Sequence, residues 1–279
     1  VTFTDNYTGY SDECGATGDA VVTFTATAEC GNFTTRTATV TVEDNTNPTW
    51  THDPTALTLE CDGTTDPSGA IAAWLTAVGN TGTATDACGN VAFTNDYTDY
   101  SDECGATGDA IVTFTATDDC GNATSTTAQF IIQDTTDPVF DTPAQDTIIQ
   151  CNTANQDALI AAWLANNAGA TSSDVCGDVV FSHNYTGLTD DCGATGNATV
   201  IFTATDDCGN ESTSSATFTI IDNTAPEIIT NASDTTVECD GSGNTTELND
   251  WLAANGNAVA SDDCSNVIWS NDFTVLSDD

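Results

Sequence analysis

Cysteine and carboxylate are the side chains of this 279-residue chain that could do chemistry. There are 12 Cys and 43 Asp or Glu, against one Lys or Arg and two His, for a formal net charge of −42. An even number of thiols at regular spacings points to disulfides, and disulfides point to an oxidising, extracellular setting. Zinc-type C-x2-C pairs and redox C-x-x-C motifs are absent from the sequence, so neither a zinc knuckle nor dithiol catalysis is expected. The carboxylates gather in short clusters beside Asn and Thr: Asp102-Glu103, Asp118-Asp119, Asp190-Asp191, Asp206-Asp207 and Asp262-Asp263. Oxygen donors of this kind suit Ca²⁺, which takes about six to eight of them. The candidate calcium ligands are Asp44, Asp118, Asp119, Asp134, Asp137, Asp206, Asp207 and Asp222, drawn from turns and linkers that could meet where repeats adjoin. No run matches an EF-hand loop, and the competing reading is a solvated anionic surface that keeps a long fibre soluble.

The charge balance excludes several classes of function. Binding nucleic acid requires Lys and Arg to displace counterions from phosphates, and Arg36 stands alone. Attraction to anionic lipid and phosphoryl transfer fail for want of the same cations. No run is long and apolar enough to suggest insertion into a membrane. Paired carboxylates can hydrolyse glycosides, but these pairs recur along the whole chain, which is the behaviour of an array and not of one pocket. His52 and His183 do not recur at matching places. No catalytic residue and no cofactor other than calcium is assigned.

The spacing of the cysteines reveals the organisation. Cys14, Cys104 and Cys192 are 90 and 88 residues apart, and so are Cys30, Cys120 and Cys208, and Cys61, Cys151 and Cys239. Cys88, Cys176 and Cys264 complete the set at intervals of 88. Asp12 to Gly18 recurs at Asp102 to Gly108 and, with one acidic exchange, at Asp190 to Gly196. Self-similarity at a fixed period is the signature of a repeat array. The breaks fall at the Pro-bearing segments 44–48, 134–138 and 222–226, where proline stiffens a short linker. The expected organisation is the C-terminal part of a repeat at 1–44, complete repeats at 45–134 and 135–222, and the N-terminal part of another at 223–279. Val1 to Thr8 matches Val267 to Thr274, so the segment reads as a window on a longer array.

The elements that must position these groups are mostly strands. Ala110 to Thr117 alternates, with Val112, Phe114 and Ala116 on one face and threonines on the other, as a half-buried strand does. The turn 118–122 follows, then a strand from about Thr124 to Gln133; Val91 to Tyr97 and Ala56 to Cys61 read as two more. Ile71, Trp74, Leu75 and Val78 fall at i, i+3, i+4 and i+7, which predicts a short amphipathic helix capped by Ser68 and anchored in the core by Trp74. Ile160-Trp163-Leu164 and Leu248-Trp251-Leu252 restate it. Short strands at about 90 residues per unit predict an all-β fold of tandem immunoglobulin-like sandwiches, each with one inserted helix.

The run Thr113 to Asn122, followed by Phe130 to Asp134, resembles the HYR-type immunoglobulin-like domain. Cys61-Asp62-Gly63 and Trp74-Leu75 resemble its four-cysteine variant. The resemblance extends over the whole chain and implies the giant secreted surface proteins of Bacteroidota, gliding-motility adhesins among them. It also implies export, commonly by the type IX route, to the bacterial outer surface. In a sandwich of this type the strand into Cys61 runs parallel to the last strand, ending beside Cys104, while Cys88 lies near Cys120. The expected bridges are therefore Cys61–Cys104 and Cys88–Cys120, repeated as Cys151–Cys192 and Cys176–Cys208, with Cys14, Cys30, Cys239 and Cys264 partnered outside the chain. The local pairing, Cys61–Cys88 with Cys104–Cys120, is the alternative. It would span an eight-residue strand of roughly 25 Å, beyond the reach of about 7 Å between Cα atoms in a disulfide.

Two functions follow as expectations. One is a non-enzymatic stalk or filament of a cell-surface protein, serving adhesion, display or gliding, with neighbouring repeats and other copies as partners. The other is an adhesive module that contacts polysaccharide or cell surfaces, its contact faces marked by Tyr7, Tyr97, Tyr185 and Phe273 and by Tyr10, Tyr100 and Leu188.

Overall fold

A computed structural model describes residues 1–64 and 66–274, the side chains of Ser68 and Asn80 excepted. The chain divides into two compact units, one of Val1–Thr136 with Val175–Asp178, the other of Asp137–Asp174 with Val179–Asp279. Both are all-β with short helices, in the tandem immunoglobulin-like arrangement that the alternation of the sequence predicts.

In the first unit, the strands Gly108–Asp118 and Ala123–Gln133 form a long antiparallel hairpin. Val91–Asn95 adds antiparallel to the outer edge of Gly108–Asp118. Leu57–Glu60 adds parallel to Ala123–Gln133, completing a four-stranded sheet. A two-stranded ribbon of Thr49–His52 and Thr83–Thr85 makes a separate, smaller sheet. Inward residues alternate as the pleat requires, so that Val112, Phe114, Ala116, Phe130 and Ile132 are buried while the intervening threonines face outward.

The helix Ala70–Thr76 closes this core by burying Ile71 and Trp74. Trp74 packs edge-on against Phe114 and Phe130, at 5.2 and 5.9 Å between ring centroids, and its indole N–H donates to the Thr55 carbonyl at 3.0 Å. That bond satisfies the one polar atom a buried Trp brings with it. Asp66 Oδ1 accepts from the Ile71 N–H at 2.8 Å, and its Oδ2 from the Ala72 N–H at 3.3 Å, so a carboxylate one turn back serves as the cap. The expected cap, the side chain of Ser68, lies outside the described residues.

Residues 1–44 of this unit contribute Thr2–Thr4, Gly18–Thr27 and Phe33–Val42 as a three-stranded antiparallel sheet. The second unit repeats the plan. Its four-stranded sheet is Thr147–Gln150, Glu211–Ile221, Gly196–Asp206 and Val179–His183 in that order. The helix Gln156–Ala165 sets Trp163 edge-on against Phe202 and Phe218, both at 5.4 Å. The ribbon Glu227–Thr230 with Val259–Ser261 and the helix Thr245–Ala253 then begin a further repeat.

Candidate functional site

The recurring sequence Cys-Gly-Ala-Thr-Gly builds a docking loop. In Cys14 to Gly18, the Thr17 hydroxyl donates to the Cys14 carbonyl at 2.6 Å, and the Thr17 N–H donates to the same carbonyl at 3.1 Å. The turn so closed points the Ala16 N–H outward, where it donates to the Cys88 carbonyl of the following repeat at 2.7 Å. The Ala106 N–H meets the Cys176 carbonyl at 2.8 Å, and the Ala194 N–H meets the Cys264 carbonyl at 2.7 Å. Gly15, Gly105 and Gly193 hold left-handed φ of +55°, +56° and +59°, and a Cβ on any of them would overlap that carbonyl. Glycine is therefore required twice over, by conformation and by the closeness of the two backbones.

Disulfides lock the same contact. Cys14 is bonded to Cys120, Cys61 to Cys176 and Cys151 to Cys264, with Cα atoms 5.1, 6.0 and 5.7 Å apart. Each bridge joins one repeat to the next, across 106, 115 and 113 residues of chain. Cys104 and Cys208 are disulfide-bonded too, while Cys30, Cys88, Cys192 and Cys239 are free. The expected bridges within a repeat are thereby corrected: Cys61 is spent on Cys176 and not on Cys104, Cys120 on Cys14 and not on Cys88, and Cys151 on Cys264 and not on Cys192. Cys176 is likewise not available to Cys208. The local alternative fails as well, since Cys88 is free and Cys120 is taken. Cys14 and Cys264, expected to pair outside the chain, pair inside it.

The strand order behind that expectation is the one observed, parallel at Leu57–Glu60 and antiparallel at Val91–Asn95. Strand order alone leaves out the neighbour: the end of one sandwich is where the loop of the preceding repeat docks. The hairpin tip carrying Cys120 has Cys14 beside it, and the Cys120 sulfur lies 3.3 Å from the Cys14 carbonyl.

The linker carboxylates line the same junctions. Asp44, Asp86 and Cys88 bring ligand atoms within 4.8 Å of one another, as do Cys151, Asp222 and Cys264. Asp44 Oδ1 accepts from the N–H and hydroxyl of Thr46, whereas its Oδ2 is buried without a hydrogen-bond partner. Burial, and then the charges of Asp44, Asp86 and Asp118, push the Cys88 thiol above its ordinary value. Two carboxylates and a sulfur fall short of calcium's usual shell, so a cation here would draw on backbone carbonyls and water. At the Asp222 cluster both sulfurs belong to the Cys151–Cys264 bridge.

The turn carboxylates are engaged differently. Asp118 is buried, its Oδ1 accepting from the Cys120 and Asn122 N–H groups at 2.8 and 2.9 Å and its Oδ2 from the Asn122 side-chain amide at 2.9 Å. Asp206 makes the same set with Cys208 and Asn210. Burial works to raise both carboxyls, but these hydrogen bonds outweigh it and leave them below the ordinary 3.8. Asp119 Oδ2 accepts from the backbone and side chain of Asn90. Asp134 and Asp222 each accept from the N–H two residues on, at Thr136 and Thr224. Asp137 and Asp207 are exposed. Of the eight candidates, Asp44 and Asp222 thus enter clusters of metal-ligand type within a unit.

Sequence reasoning missed Gly15, Ala16 and their equivalents as contact residues, although their identity in all three loops was the available signal. It also missed Glu60. Its Oε1 accepts from the Thr135 N–H at 2.6 Å, and from the Thr135 and Thr136 hydroxyls, tying the linker to the sheet. That backbone hydrogen bond is the main cause of its lowered carboxyl. The two tyrosine sets lie against the core in the complete repeats: Tyr97 and Tyr100 pack on Phe130 at 5.6 and 5.9 Å, and Tyr185 and Leu188 line the equivalent cluster.

The chain matches no family model and no curated protein. Among solved structures it is similar to four extracellular cadherin domains of protocadherin gamma B3, at 14% identity and a TM-score of 0.28, with 79% of this chain and 62% of that one covered. The protocadherin gamma B7 cis-dimer structure is similar at 12% identity and a TM-score of 0.28, covering 86% and 71%. Mouse cadherin-23, domains 22–24, is similar at 14% identity and a TM-score of 0.26, covering 74% and 75%. The chain spans 62% and 39% of the first two protocadherin chains it resembles.

Proposed function

We propose that the chain is a non-enzymatic stalk or filament segment of an extracellular or cell-surface protein, of the HYR-like type found in giant Bacteroidota adhesins. The supporting observation is that its disulfides join consecutive repeats instead of closing each repeat on itself. A bridge inside a sandwich protects that sandwich alone. A bridge between sandwiches carries load past the linker, so a pull or a protease cut at 44–48 leaves the neighbours attached. Disulfides of this kind persist outside the reducing cytosol, which supports the extracellular setting.

The observation favours a stalk over a polysaccharide-binding face, because the tyrosines that would form such a face serve as core in the complete repeats. Limited proteolysis tests this reading. Cut at the linkers, the oxidised chain should run as one species without reductant and as repeat-sized fragments with it. Separation without reductant would overturn the stalk reading, and retention on a polysaccharide column would favour the adhesive one.

Calcium at the junction acids is a separate proposal, supported by the gathering of Asp44, Asp86 and Asp118 around Cys88. It predicts that millimolar calcium raises the melting temperature and that chelator reverses the rise. No shift would remove calcium from the account.

A further inference from the structure

The helix Gln156–Ala165, in the complete repeat 135–222, borders a groove of about 230 Å³ lined by Asp157, Ile160, Ala161, Leu164 and Tyr185. Ile160 is buried, Leu164 and Tyr185 are half-buried, and Asp157 is exposed. The walls are therefore aliphatic and aromatic, with one carboxylate at the rim. Tyr185 packs on the core around Phe218 and Ile220 and still lines the groove. Asp157 also lines a second, polar cleft with Thr153, Asn155 and Gln156. The Gln156 side-chain amide donates to the Cys151 carbonyl, which leaves its oxygen to accept. The Asp157 carboxylate has no hydrogen-bond or ion-pair partner among the described residues.

The combination is particular to this repeat. Ile71, Ala72, Leu75 and Tyr97 hold the equivalent places in 45–134, but Ser68 stands where Asp157 does, and Asp66 is occupied in capping the helix. In 223–274 the same position is Thr245. The acid is thus added to a helix face that the repeats otherwise share. An acid in the first turn also favours its helix electrostatically, a role that would leave binding untouched.

We propose that this groove takes a lysine side chain from a basic protein partner. The lysine stem lies along Ile160, Ala161 and Leu164, as such stems do on apolar surface. Its ammonium meets the Asp157 carboxylate and the Gln156 oxygen, and the Tyr185 ring adds the attraction of an aromatic for a cation. Charge selects the ligand. Residues 135–222 contain no Lys or Arg, so the repeat has no cation of its own to fill the groove. The net charge of −42 draws basic partners toward the chain over longer range. One carboxylate is too few for calcium, which takes about six to eight oxygens, so the groove differs in kind from the junction acids. The proposal is independent of whether the segment serves as stalk or adhesive module.

The test is an NMR titration of the 279-residue chain with Nα-acetyl-lysine N-methylamide, in about 0.5 M sodium chloride so that diffuse attraction is screened. The norleucine analogue, which keeps the stem and lacks the ammonium, is titrated beside it. Saturable shifts of the Tyr185 ring protons are expected with the lysine compound, and much smaller ones with norleucine. Asp157→Asn should weaken binding about tenfold, the order of one charged hydrogen bond lost. Glu211→Gln removes the same charge from the outward face of the sheet and should leave binding within about twofold, since distant charges are screened. Both side chains are exposed, and the amide spectrum checks that both variants keep the fold. Equal loss in the two variants, equal binding of the norleucine analogue, or unshifted Tyr185 rings would each overturn the proposal. Shifts of Tyr185 by methyl glucoside alone would give the groove to a neutral sugar and overturn it too.

Discussion

At Gly105 and Gly121 the same residue type carries different duties, and substitution separates them. Both have left-handed backbone, φ +56° and +91°, but a Cβ at Gly121 meets nothing within 4 Å while one at Gly105 overlaps the Cys176 carbonyl. Gly121→Ala should cost only the conformational penalty, about 1–2 kcal/mol. Gly105→Ala should cost clearly more in a denaturant melt, because backbone must move at the junction; equal costs would mean that the loop does not dock as described. A pH titration reads Asp118 and Asp206. Their carboxyls are held below the ordinary 3.8, so the charged forms favour the fold. That contribution is complete above pH 3.8 and is lost as pH falls through the lower folded values. Thermal melts should show an acid limb that becomes shallower in Asp118→Ala with Asp206→Ala, the residue Ala28 already present at the equivalent place in residues 1–44. The identical Cys-Gly-Ala-Thr-Gly loops were visible as a repeat mark, but their task was not, since the group each one touches lies some 70 residues on and only folding brings it near.

The elements were far more legible than their junctions. Alternation through Gly108–Asp118 and the spacing of Ile71, Trp74 and Leu75 are local patterns that survive folding, but the expected i+7 member is not on that helix, which ends at Thr76 and leaves Val78 beyond it with φ +49°. The parallel direction of Leu57–Glu60 against the last strand also followed from the fold type. The disulfides did not, because strand order places each cysteine at an end of its sandwich without saying what stands opposite. Truncating the helix anchor by Trp74→Ala should cost about 3–5 kcal/mol, the price of an aromatic removed from a packed core, seen as a lower midpoint with the fold otherwise kept. Replacing both Cys61 and Cys176 by Ser should cost about 2–4 kcal/mol in the chain-entropy account. It should also loosen the contact between Ala106 and Cys176, seen as faster amide exchange at Ala106. Unchanged exchange would place the docking energy in the loop alone.

Across the whole molecule, one cation among 43 acids leaves the fold working against its own charge. Self-repulsion of this size weakens with salt, so the melting temperature should climb as sodium chloride rises from 10 mM to 1 M; a flat response would mean that bound cations already neutralise the surface. The disulfide framework answers the same problem covalently, holding anionic repeats together where their charges push apart. Its topology is the central claim and is measured most directly by proteolysis of the oxidised chain without reductant, followed by mass spectrometry of the linked peptides. The account predicts Cys14–Cys120, Cys61–Cys176 and Cys151–Cys264, each joining consecutive repeats. Peptides linking Cys61 to Cys104, or Cys88 to Cys120, would contradict it.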